Sequence, residues 1–195
     1  MKTNVTKMMT DVGLFAALGF VLDVVQGVIC DFLPFWPNGG SVGIAMCCIF
    51  ALSLKYGLIG MFGGLITGLL SMMRGVYISP LAAEGGFFPV LLQLGLDYFL
   101  AWTAVGLAGL FVKLFQKEEN INKKCLWTGI ACFVGGIGKY ICHFLVGMIY
   151  WPNEDATSQF LYSFLYNGSY MWPSIALCIV LMIIIVRKQP KLLSK

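Results

Sequence analysis

The amino-acid sequence predicts an all-α integral membrane protein, a single domain (residues 1–195) built as a bundle of six transmembrane helices. The first reason is composition: 59% of the 195 residues are hydrophobic and only 11% are charged, whereas a soluble domain carries about 25% charged residues. The second is the gathering of the apolar residues into six runs with no interdomain linker. These runs are continuous rather than alternating, which favours helices over a β-barrel.

The six apolar runs are the predicted membrane helices. They extend over about Val12 to Leu33, Val42 to Leu54, Gly57 to Met73, Phe87 to Phe115, Cys125 to Trp151 and Phe160 to Val186. Crossing a bilayer takes about 20 helical residues, so the second run is short. Either it crosses with thin flanks or its neighbours bury its ends.

Basic residues predict the orientation of the helices, because cytoplasmic loops are enriched in Lys and Arg. Of the 13 basic residues, 11 lie on one predicted side: ten lie before the first run, after the sixth, or in the connections that follow the second and fourth runs, and Lys113 lies at the end of the fourth run. Arg74 lies in an alternate connection, and Lys139 lies inside the fifth run. We therefore expect a multi-pass protein of the cell membrane with both termini in the cytoplasm. The same asymmetry explains the net charge of +4, so no nucleic-acid partner is expected.

The sequence offers little that would support catalysis. It has one histidine, no CxxC pair and no nucleotide-binding motif. We therefore expect no metal, no cofactor and no enzymatic activity of its own. The seven cysteines are interpreted as buried free thiols.

Small residues four apart mark two helix faces. In the third run they are Gly60, Gly64 and Gly68, and in the first run they are Gly13 and Ala17. Such spacing lets membrane helices approach closely. We interpret the third-run glycines as internal packing. The pair in the first run is equally compatible with packing and with a surface that docks a partner protein.

Four ionisable residues lie inside apolar runs, where charge is costly and usually functional. They are Asp23, Asp97, Lys139 and His143. In the fifth run Lys139, His143, Gly147 and Trp151 are spaced four apart, so they share one helix face. The role of Asp23 stays open.

The predicted helix directions bring further polar groups to the depth of His143. Asp97 and Tyr98 lie some way into the fourth helix, and Tyr162 and Asn167 lie in the first turns of the sixth. Apolar walls with a few placed polar groups are typical of a ligand pocket. The alternative is a structural network in which Asp97 simply pairs with Lys139.

Three strings of residues resemble the thiamine-specific S component of energy-coupling factor transporters. Residues 138–147, followed by Trp151, are similar to the fifth helix of that family. Residues 162–168 resemble the start of its sixth helix, and residues 97–101 its fourth-helix motif, which usually begins Glu-Tyr. The six-helix layout and the length also match, so the resemblance covers nearly the whole chain.

The resemblance implies thiamine binding from outside, in a pocket of the fourth, fifth and sixth helices closed by the loop between the first and second. Matched position by position, the implied site residues are Trp36, Tyr77, Asp97, Tyr98, His143, Gly147, Trp151, Tyr162 and Asn167, with Lys139 beneath them. Two departures stand out. Asp97 is one methylene shorter than the usual Glu, which leaves its contact geometry open, and the loop from Pro152 to Ser158 lacks the expected aromatic residues.

The resemblance also implies partners, namely a transmembrane coupling subunit and two ATPase subunits, with Gly13 and Ala17 on the docking face. The pocket chemistry suits thiamine: aromatic faces attract a desolvated cation by about 2 kcal/mol, and Asp97 can neutralise the thiazolium. Two alternatives remain open. One is an S component for another small vitamin, and the other is a stand-alone proton-coupled carrier that uses Asp97 and Lys139.

Overall fold

The computed structural model describes residues 4–34, 36–37, 40–153 and 158–194, and this part of the chain is helical, without a strand. Its long helices are α1 (Val5–Asp31), α2 (Met46–Tyr56), α3 (Ile59–Arg74), α4 (Phe87–Lys117), α5 (Ile121–Tyr150) and α6 (Gln159–Lys188). A short helix, Pro80–Glu84, precedes α4, and a 3-10 turn, Pro190–Leu193, follows α6. Each predicted apolar run therefore corresponds to one helix. By length and apolar composition α1, α4, α5 and α6 can cross a membrane, whereas α2 and α3 are shorter.

Three predicted helix starts were wrong by four residues or more. The first helix begins at Val5 rather than Val12, because the Asn4 side chain caps it by accepting the N–H of Lys7 at 3.2 Å. The second begins at Met46 rather than Val42. The fifth begins at Ile121 rather than Cys125, because the Asn120 side chain caps it. Hydropathy does not register a polar first turn. Nor does it show that the N–H groups of Val42, Gly43 and Ala45 donate to side chains of α1 and α6 rather than within a helix of their own.

Helix α2 is the centre of the bundle. All 11 of its residues are buried, so it has no face for lipid or water, as expected of a helix that is apolar all round. Ile49, Phe50 and Leu52 are completely enclosed by the surrounding helices. Of the two sequence interpretations of this short run, burial by its neighbours is therefore the correct one.

The glycines of α3 form its contact with α4. A Cβ at Gly64 would collide with the carbonyl oxygen of Trp102, and one at Gly68 with the carbonyl oxygen of Tyr98. The two backbones thus touch where no larger residue fits, and the interpretation of these glycines as internal packing is confirmed. By contrast, Gly13 on α1 has no atom within 4 Å of where its Cβ would stand.

Helix α4 departs from α-helical geometry in two places. Gly95–Leu100 is a π-helical turn, and Gly106–Phe111 is wound as a 3-10 helix. A π turn adds a residue to the local repeat and rotates the side chains that follow; such turns are frequent at functional sites. Here it contains Asp97 and Tyr98.

Polar contacts close the end of the bundle at which the chain begins. The Lys55 ammonium lies 2.8 Å from the Asp11 carboxylate, which also accepts a 2.6 Å hydrogen bond from the Tyr56 hydroxyl. At the same end the Gln116 side-chain amide donates to the carbonyl oxygens of Leu54 and Leu193 at 2.7 and 2.8 Å. These bonds tie α1, α2, α4 and the segment after α6 together at this end.

Candidate substrate-binding site

A cavity of about 700 Å³ opens at the other end of the bundle, away from the chain termini. Its walls come from the second half of α1, the end of α3, the first half of α4, the second half of α5 and the first half of α6. Every site residue predicted from the sequence except Trp36 lines it: Tyr77, Asp97, Tyr98, Lys139, His143, Gly147, Trp151, Tyr162 and Asn167. Residues from four segments of the chain thus meet in one cavity.

Asp97 and His143 form the polar pair at the middle of the cavity. The Nδ1 atom of His143 lies 3.0 Å from Oδ1 of Asp97, and both side chains keep a small exposed fraction. With Nδ1 protonated, the imidazole donates to the carboxylate. This bond joins α4 to α5 and leaves the second carboxylate oxygen and Nε2 of the ring for other partners.

Lys139 does not pair with Asp97, as the network interpretation would require. Its ammonium lies instead 3.5 Å from the centroid of the Trp102 ring, in a cation–π contact. Both residues are almost completely buried. The contact gives the cavity a cationic, aromatic floor one helical turn before His143 on α5.

Two aromatic rings stack at the cavity mouth. The rings of Tyr77 and Trp151 are nearly parallel, with an interplanar angle of 4° and centroids 5.3 Å apart. Tyr77 comes from the segment between α3 and α4, and Trp151 directly follows α5. The stack therefore bridges two parts of the fold.

Gly147 brings α5 against α6. Its missing side chain leaves room for the Ser163 hydroxyl and the Asn167 amide. Ser163 donates to the carbonyl oxygen of Phe144 at 2.7 Å. The Asn167 amide donates to the Ser163 carbonyl at 2.9 Å and accepts from the Tyr170 hydroxyl at 2.7 Å. The Asn167 side chain is thereby fixed in one orientation at the cavity wall.

The α1 and α3 side of the cavity carries groups that sequence reasoning had not placed in the site. Asp23 accepts a 3.0 Å hydrogen bond from Gln26 at Oδ1. Arg74 donates to the Asp23 carbonyl oxygen at 3.4 Å, and its guanidinium occupies the space where Gly27 has no side chain. The buried hydroxyl of Ser71 has no hydrogen-bond partner among the described residues.

The complete set of such unassigned lining residues is Asp23, Ser41, Gly43, Ser71, Arg74, Gly75, Gln93, Trp102, Val146, Ser163, Tyr166, Tyr170 and Met171. Three of these residues could have been predicted from the sequence. Tyr166 and Tyr170 follow Tyr162 at intervals of four and so share its helix face, and Asp23 is a carboxylate in an apolar run. Ser71 and Gln93 are single polar residues without any periodic pattern.

Three predictions concern residues that do not line the cavity or that are not among the described residues. Trp36 lies in the loop between α1 and α2, packs against the apolar core and does not line the cavity. Residues 154–157, the centre of the loop predicted to lack aromatic residues, are not among those described. Gly13 and Ala17 are exposed on the outer surface of α1.

The cavity is chemically suited to a flat, polar cation. It holds two carboxylates, Asp23 and Asp97, and several aromatic rings. Its own cations are engaged with other groups: Lys139 with an indole ring and Arg74 with a carbonyl oxygen of α1. The volume lies within the range of about 300–1,000 Å³ that is usual for small-molecule pockets.

Known proteins are similar to this chain in both sequence and fold. Residues 9–194 match the family described as "Thiamine transporter protein". The protein named thiamine transporter ThiT of Bacillus subtilis (strain 168) is 31% identical over 189 residues, which cover 94% of this chain and 92% of that protein. The protein of the same name from Lacticaseibacillus paracasei is 30% identical over 162 residues, 80% of this chain and 75% of that one.

A solved structure of ThiT from Listeria monocytogenes superposes with a TM-score of 0.81, covering 99% of this chain and all of that one, at 19% identity. At this identity the match speaks for the fold alone. It agrees with the arrangement of apolar helices described above.

Proposed function

Because this chain belongs to the family of thiamine transporter proteins, we propose that it is the substrate-binding S component of an energy-coupling factor transporter and that it captures thiamine in the cavity. It is a multi-pass protein of the cell membrane. One observation carries the proposal. Residues chosen from the sequence for thiamine binding, which are scattered from Tyr77 to Asn167, line a single cavity of suitable size.

The proposed binding mode follows from the charges. Thiamine carries a permanent thiazolium charge and a flat aminopyrimidine ring. The Asp97 carboxylate balances the thiazolium, since His143 uses only one of its oxygens. Stacking against the Tyr77 and Trp151 rings adds the attraction between a cation and an aromatic face, about 2 kcal/mol when the cation is desolvated.

Hydrogen bonds of the aminopyrimidine are assigned to Nε2 of His143 and to Oδ1 of Asn167, which accepts one bond from Tyr170 and can accept a second. Both have polar atoms at the cavity wall, and both are held by neighbouring side chains. A buried polar group left unpaired costs about 1–3 kcal/mol. A vitamin whose ring nitrogens do not match these donors and acceptors is therefore discriminated against.

Transport is proposed to depend on a separate coupling module with a transmembrane subunit and two ATPase subunits. The surface around Gly13 and Ala17 on α1 is proposed as the docking face, since both residues are exposed and a Cβ at Gly13 would meet no atom of the other described helices within 4 Å. The orientation proposed with it has all six helices within the bilayer, one domain and both termini in the cytoplasm. The cavity then opens to the outside.

Ligand titration of the purified chain in detergent, followed by intrinsic tryptophan fluorescence, tests the substrate. We expect saturable binding of thiamine and no response to riboflavin or biotin. Binding of another vitamin in place of thiamine would instead identify an S component of different specificity.

Transport assays in vesicles test the source of energy. We expect no thiamine accumulation in vesicles that hold only this chain, with or without a proton gradient, and ATP-dependent uptake once the coupling module is added. Accumulation driven by the proton gradient alone would support the carrier that uses Asp97 and Lys139.

A further inference from the structure

Gln93 is a buried glutamine, and both ends of its side-chain amide form hydrogen bonds with the backbone of a neighbouring segment. Its side chain is only 1% exposed although it lies at the cavity wall. The Nε2 atom donates to the carbonyl oxygen of Tyr77 at 3.0 Å, and the Oε1 atom accepts the N–H of Ser79 at 3.0 Å. One side chain of α4 thus holds the segment that carries Tyr77.

The Tyr77 side chain has little else to hold it. It is 69% exposed, and its ring contact is the stack on Trp151. Its own N–H donates to the Tyr98 hydroxyl over a long 3.4 Å. The orientation of this ring therefore depends on its backbone, and the stronger backbone bonds go to Gln93.

The segment is anchored on both sides of Tyr77. Beyond it, Ser79 caps the short helix Pro80–Glu84 by accepting the N–H of Ala82 at 3.0 Å, and Ala82 packs with Val146 of α5. Before it, the Gly75 N–H donates to the carbonyl oxygen of Met72 at 3.1 Å. Between these two anchors, Gln93 forms the shortest side-chain hydrogen bonds to the backbone of residues 77–79.

We propose that Gln93 is a positioning residue for the proposed thiamine site, which holds Tyr77 over Trp151 and so keeps bound thiamine from leaving. Gln93 acts through Tyr77 rather than through contact with the ligand, because its side chain is almost completely buried and is directed to the backbone of the segment that carries Tyr77. The inference rests on the proposed function, since its effect is measured on thiamine.

The substitution Gln93→Met tests this role, because it keeps an unbranched chain of similar length and removes both hydrogen bonds. If the stacked position is then occupied about a tenth of the time, the apparent Kd for thiamine rises about tenfold. We expect most of the change in the dissociation rate, measured by stopped-flow tryptophan fluorescence. Tyr77→Ala should give a loss of similar size.

Gln116→Met is the matched control. Gln116 lies on the same helix, and its amide also bonds to backbone carbonyls of other segments, but it lies about 35 Å away at about 1.5 Å per residue. We expect its thiamine Kd to stay within about twofold of the parent. Equal losses in both variants would mean that general loosening of α4, not the position of Tyr77, weakens binding.

The double variant Gln93→Met/Tyr77→Ala separates positioning from direct contact. If Gln93 acts through Tyr77, the double variant binds thiamine no more weakly than Tyr77→Ala alone. Multiplying losses would overturn the proposal and show that Gln93 acts independently of Tyr77. Should Gln93→Met not fold, Gln93→Glu keeps the acceptor for Ser79, removes the donor to Tyr77, and is judged by the same cycle. A parent chain that binds no thiamine would refute the proposed function instead.

Discussion

Trp151 and Trp127 each stack on another aromatic ring near opposite ends of α5, and comparing them tests the proposed site. Trp151 stacks on Tyr77 at the cavity mouth, with ring centroids 5.3 Å apart. Trp127 stacks on Phe111 near the opposite end of α5, with centroids 6.4 Å apart. Both indoles are partly buried. At about 1.5 Å per residue they lie about 36 Å from each other, so only Trp151 can touch a ligand in the cavity.

The expected loss for Trp151→Ala can be worked from these contacts. A cation on an aromatic face contributes about 2 kcal/mol when desolvated, and the aromatic pair itself adds about 0.5–1.5 kcal/mol. Part of the pair is present without ligand, so we expect a loss of at least about 2 kcal/mol, in line with buried aromatic hot spots. This corresponds to a roughly 30-fold higher Kd.

Calorimetric titration of thiamine into detergent-solubilised protein measures the effect. Trp127→Ala should bind thiamine like the parent, although it also loses a stacked ring and some stability. If Trp151→Ala bound with parental affinity, the assignment of the cavity mouth to thiamine would be wrong. If both variants lost affinity equally, the loss would reflect the stability of α5 rather than contact with the ligand.

Four further predictions concern single positions. Asp97→Asn keeps the shape of the side chain but removes its charge, and should raise the thiamine Kd about 10- to 100-fold, since hydrogen bonds to charged groups contribute about 1.5–3 kcal/mol; the same calorimetry checks it. Gly147→Ala should weaken binding as well, because its methyl group would displace the Ser163 hydroxyl, and a parental Kd would contradict the tight contact between α5 and α6. Gly64→Ala should lower the melting temperature, because it meets the backbone of α4, whereas Gly13→Leu should leave melting and thiamine binding unchanged and reduce uptake in cells.

The sequence allowed the helices and one wall of the cavity to be predicted, because both depend on periodic signals. Apolar runs located all six long helices, and the spacing of four between Lys139 and Trp151 identified the face of α5 that lines the cavity. The same rule applied to α6 would have added Tyr166 and Tyr170. These inferences need only the geometry of a single helix.

Other parts of the cavity depend on tertiary contacts and had no such signal. The π turn that contains Asp97 changes the repeat of α4, which apolar periodicity cannot reveal. Arg74 enters the cavity wall because Gly27 of α1 leaves it room, a match between residues far apart in the chain. The sequence does not distinguish Gln93 from other polar residues near helix ends, because its role depends on its two backbone partners.

The burial of α2 has a consequence for how the protein is made. A helix of 11 residues is about 17 Å long at about 1.5 Å per residue, well short of the roughly 30 Å hydrocarbon core. Its Lys55 is paired with Asp11 of α1, so the last turn of α2 depends on a residue of the neighbouring helix. Helix α2 is therefore too short to insert into the bilayer as an independent segment before it packs against its neighbours. With the proposed arrangement of six helices in the bilayer, we expect α2 to insert together with α1 and α3, so substitutions that weaken these contacts should first lower protein abundance.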